Sequence, residues 1–122
     1  MKTRRLYIIL SACMLLITIG CGPDSIFLRQ GLDTPSHHVN NGNQFMNSGK
    51  LDAAVAEFNR AVELDPNYAP AYVGLGLAAG YQGNPEKGLT IMEKAQALAM
   101  DEQQRKDVEA GFKMLQEMAA TD

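Results

Sequence analysis

Between residues 51 and 62, apolar side chains recur at Leu51, Ala54, Val55, Phe58, Ala61 and Val62. Steps of three and four place them on one side of a helix. Asp52, Asn59, Arg60 and Glu63 fall on the opposite side. Near the C-terminus, Val108, Phe112, Leu115 and Met118 form a second apolar side. Punctuation separates such stretches. Gly49 and Gly83 suit the left-handed residue that ends a helix. Asp65-Pro66-Asn67 breaks the chain, because Pro cannot continue a helix. Asp52, Asn84 and Asp101 stand where a side chain can cap a new helix. Pro85 fits a first turn, and Glu102 sits near a helix's positive end. Together these signals predict five helices, over 35–48, 52–64, 69–82, 86–99 and 102–119, and an all-α fold.

The third helix is expected to be soft. Gly74 and Gly80 inside it each cost about 1 kcal/mol against Ala. They would permit either close helix packing or the approach of a ligand backbone. The run Tyr72 to Gly83 is glycine-rich, but its spacing is wrong for a phosphate loop, no strand precedes it and no Lys follows in order.

A shift of 34 residues lays the chain on itself. Val39 meets Val73, Gly42 meets Gly76, Gly49 meets Gly83, Ala61 meets Ala95 and Leu64 meets Leu98, without a gap. Gly42, Phe45, Ala54, Phe58, Ala61 and Pro66 in the first copy, with Tyr72, Leu75, Gly76 and Ala95 in the second, resemble the tetratricopeptide repeat (TPR). His38 and Asn41 depart from it, standing where bulky apolar residues are usual, as do Ala79, Gly88, Met92 and Met100 in the second copy. The resemblance implies a helix-turn-helix solenoid of two TPR units, 35–68 and 69–100, followed by a C-terminal capping helix and tail over 101–122.

The start of the chain reads differently. A basic opening, Met1 to Arg5, leads into an apolar run from Leu6 to Ile19 that is shorter than the roughly 20 residues of a spanning helix. It ends at Gly20-Cys21. "TIGC" (Thr18 to Cys21) resembles the lipobox of bacterial lipoproteins, with Thr18 where Leu is usual. That resemblance implies a signal peptide over 1–20, lipid on Cys21 and a lipidated N-terminus and linker over 21–34. "TRRLYI" partly resembles a twin-arginine export signal, but the apolar run fits ordinary secretion better. Gly22 after the Cys implies the outer membrane, facing the periplasm, if the source is Gram-negative. Within the linker, the island Ile26-Phe27-Leu28 either stays loose or docks on the first helix.

Charge narrows the partners. From Cys21 onward, 8 basic residues face 14 acidic ones, a formal charge of −6. Nucleic acid needs a basic footprint, and an anionic membrane surface would repel this chain. With Cys13 in the signal and Cys21 acylated, no thiol remains for a disulfide or a metal. Adjacent His37 and His38 point about 100° apart on a helix, a poor ligand pair. No metal or other cofactor is expected. No Ser/His/Asp or Cys/His set survives, so the chain is expected not to be an enzyme.

In TPR arrays the first helix of each unit lines a groove that holds a peptide. By that resemblance the groove residues are Val39, Asn43, Met46 and Asn47, then Val73, Leu77 and Tyr81. Asn40, Asn43 and Asn47 also share a face by helical spacing alone. Asn side chains donate and accept, so they can pair with a peptide main chain, and Leu77 and Tyr81 offer apolar contact. The alternative is that they are only a solvated face. The family's grip on a terminal carboxylate uses Lys and Arg at these positions, and there are none here. With His38 and Asn41 turned inward the first helix would leave a thin edge, to be covered by residues 26–28, a partner or a second copy. The expectation is an envelope-anchored adaptor for a partner protein or peptide. The alternatives are a self-associating structural lipoprotein and a subunit of an envelope enzyme or secretion complex.

Overall fold

The computed structural model describes residues 33–121. The expected signal peptide, Cys21 and the island at 26–28 lie outside the described residues. Among the described residues five helices follow in order: α1 Pro35–Asn47, α2 Leu51–Leu64, α3 Ala69–Tyr81, α4 Pro85–Leu98 and α5 Glu102–Ala119. Each boundary lies within one residue of its predicted position, and the fold is an all-α helical solenoid.

The boundaries follow from the punctuation. Gly49 and Gly83 both have positive φ, 71° and 82°, where a side chain would be strained. Asn84 caps α4 by accepting from the Lys87 N–H at 3.3 Å, and Asp101 caps α5 by accepting from the Gln104 N–H at 2.8 Å. Thr34 caps α1 through the His37 N–H at 3.2 Å. Asp52 does not cap α2. That helix starts a residue earlier than expected, with Lys50 at the cap position and no side-chain cap bond. Asp52 therefore lies inside the first turn, where it accepts from Gln82 Nε2 at 3.3 Å.

Each helix packs on its neighbour in sequence, and α3 also meets both α1 and α5. Connections of three or four residues turn the chain back each time. One device repeats along the stack. The ring of Phe58, on α2, fills a slot between Gly42 of α1 and Gly74 of α3. Met92, on α4, does the same between Gly76 of α3 and Gly111 of α5. Phe58 and Met92 are fully buried, and each anchors its own apolar cluster. Val62 and Leu75 touch both clusters and join them. Gly80 packs on Leu115 and Met118. Gly74 and Gly80 thus both serve helix packing.

Polar groups pair along the expected thin edge. His38 Nδ1 donates to Glu57 Oε2 at 2.7 Å, and Nε2 donates to Asp33 Oδ1 at 2.9 Å. Asn41 Nδ2 reaches the same Glu57 oxygen at 3.3 Å. Arg60 holds the other Asp33 oxygen at 2.8 Å. Ionised carboxylates only accept, so this arrangement favours the imidazolium form of His38, in which both ring nitrogens donate. Burial works to lower its pKa, but the bonds to Asp33 and Glu57 outweigh it and leave the pKa raised above 6.5. Asp33 is lowered by its bonds to His38 and Arg60.

Candidate partner-binding groove

α1, α3 and α5 together enclose a groove of about 390 Å³. Val39 and Asn43 come from α1, Val73, Gly74 and Leu77 from α3, and Gln104, Asp107, Gly111 and Met114 from α5. Ala69 and Pro70 at the start of α3 and Ala110 on α5 complete the wall. Val39 is buried and forms part of the core floor, whereas Asn43 stands exposed at the rim. Val73 and Leu77 are half-buried: one side of each packs on the second cluster, and the other faces the groove.

Four of the expected residues, Val39, Asn43, Val73 and Leu77, are therefore brought together. Met46, Asn47 and Tyr81 are not among them. They line a second hollow with Gly49 and Leu51. The reason is helical rise: Asn47 ends α1 and Tyr81 ends α3, each a full turn beyond Asn43 and Leu77. Asn40 is exposed and lines neither hollow, lying about 100° round α1 from Val39. The asparagines share a face but serve different places.

The contribution of α5 is absent from the expectation. Its Val108 and Leu115 pack inward as the apolar pattern requires. Gln104, Asp107, Gly111 and Met114 also recur at steps of three and four, on the neighbouring strip. That spacing was available in the sequence. Its polar composition hid it, because a mixed strip beside an apolar one reads as solvated surface. α5 therefore both covers the end of the core and supplies one jaw of the groove.

Among the described residues no group of three or more His, Cys, Asp or Glu side chains could hold a metal. Among them, too, no helix is long and apolar enough to cross a membrane.

No curated protein matches the chain. Residues 42–83 match a family model described as TPR repeat. The match runs from Gly42, which meets Phe58, through α2 and the Asp65-Pro66-Asn67 break, to Gly83 after α3. The helix pairing and the match agree, and over this span the chain is similar to a TPR repeat.

Proposed function

We propose that the chain is an adaptor that holds a partner protein or peptide in the α1–α3–α5 groove while lipid on Cys21 fastens it to a bacterial cell envelope. The observation that carries the reading is the groove itself, with apolar side chains from three helices beside the polar groups of Asn43, Gln104 and Asp107. TPR repeats generally mediate protein binding, and the match over 42–83 supports that role. The anchoring half rests on the basic start, the apolar run and Gly20-Cys21. Acyl chains contribute about 0.8 kcal/mol per buried methylene, enough for stable attachment when several chains are present. An outer-membrane, periplasm-facing position follows from Gly22 if the source is Gram-negative.

The test is capture from the native envelope with the full-length chain and with Asn43→Arg, which fills the groove from an exposed position. The reading expects a protein that the first retains and the second loses. Equal recovery by both contradicts it. Self-association is the second reading, and it draws on Met100, which is 81% exposed despite its apolar side chain. Sedimentation at several concentrations separates the two, since an adaptor that acts alone stays monomeric.

A further inference from the structure

The walls of the groove differ in chemistry. Val73, Leu77 and Met114 form an apolar floor with Val39, and Asn43 and Gln104 bring amides to opposite walls. Asp107 is the one charged residue among those lining it. Its Oδ1 accepts from Gln103 Nε2 at 2.9 Å. Among the described residues, no Lys, Arg or His forms an ion pair with it. The nearest basic residues in sequence, Arg105 and Lys106, instead pair with Glu102, at 3.3 and 3.8 Å.

An uncompensated carboxylate beside an apolar floor favours a cation that carries hydrocarbon with it, as Lys and Arg do. A cleft of about 390 Å³ lies low in the roughly 300–1,000 Å³ range of small-ligand sites. It therefore takes a few side chains rather than a folded face. The Asn43 amide both donates and accepts, and Gln104, whose Oε1 already accepts from the Met100 N–H at 2.9 Å, keeps its NH2 to donate, which suits an extended main chain. Resting on the adaptor reading, we infer that the groove binds an extended peptide segment in which apolar residues adjoin a Lys or Arg. The cation meets Asp107 and the apolar side chains fill the floor. Acidic segments and free terminal carboxylates are disfavoured, because they would bring like charge to Asp107.

A random-peptide display library panned against the full chain in detergent tests this. The selected peptides are expected to carry Lys or Arg beside aliphatic or aromatic residues. The best of them should bind about three- to fivefold more tightly than its own Lys-to-Gln form, the scale of an exposed ion pair. That gap should close in Asp107→Asn. Asp107 is exposed, so this variant is expected to keep its fold, as circular dichroism would verify. Asn43→Arg should abolish binding of both peptides. Selected peptides without basic residues, equal affinity for the Lys and Gln forms, or a gap that persists in Asp107→Asn overturns the inference. If an envelope partner is nevertheless captured in an Asn43-dependent way, the adaptor reading stands and only the basic segment falls.

Discussion

The ring of Phe58 occupies the space that a side chain on Gly74 would need. On its other side the same ring lies 2.5 Å from where a Cβ on Gly42 would sit, so it has nowhere to retreat. Gly74→Ala gains about 1 kcal/mol of helix propensity, against the roughly 1–3 kcal/mol that overpacking costs. The packing penalty should win, lowering the urea midpoint. Adding Phe58→Leu should recover part of the loss relative to Phe58→Leu alone. A stabilised Gly74→Ala would show that the slot is not filled as described.

The His38 seam makes stability depend on pH. The folded pKa of His38 is raised, so its contribution is complete below the unfolded value of 6.5 and is lost as pH rises through the folded value. Asp33 is lowered, so its contribution holds above its unfolded value of 3.8 and is lost as pH falls through the folded one. The seam is therefore strongest at mildly acidic pH. Denaturant midpoints should fall for the wild-type chain as pH climbs above 6.5, and His38→Asn should flatten that slope. An identical slope in both would place the titration elsewhere.

Capping residues can be separated from lookalikes by substitution. Asn84→Ala and Asp101→Ala each remove a bond to a helix N-terminus and should cost about 1 kcal/mol. Asp52→Asn removes no cap and should change stability by no more than the roughly 0.3–1 kcal/mol of an exposed first-turn charge. Thermal or urea unfolding of the three variants checks the order.

These contrasts show what the chain discloses before folding. Helix positions were legible because Gly49, Pro66, Gly83 and Pro85 act through local backbone geometry, which needs no knowledge of neighbours. The pairing of His38 with Glu57 was not legible, since it joins residues 19 apart on different helices. His38 and Asn41 therefore read as gaps in an apolar row rather than as a bonded seam. Part of the groove was legible, through Val39, Asn43, Val73 and Leu77, which the repeat aligns on α1 and α3. The α5 jaw was not, because Gln104, Asp107 and Met114 lie outside the repeat register.

The proposed anchoring has its own signature. Intact mass of the mature protein should show a chain that begins at Cys21 and carries acyl chains. Cys21→Ser should leave the washed membrane fraction or persist as an unprocessed precursor. A mature chain that starts elsewhere, or a Cys21→Ser protein indistinguishable from wild type in processing and membrane retention, contradicts lipidation.

One groove, built by α1, α3 and α5, is proposed to recognise the partner. Crosslinked capture from the native envelope tests it most directly, comparing the full-length chain with the groove-filling variants Asn43→Arg and Met114→Arg and with Glu86→Arg, an exposed control on α4. A partner should be retained by the wild-type chain and by Glu86→Arg, and lost from both groove variants. The same proteins recovered with all four chains would contradict it.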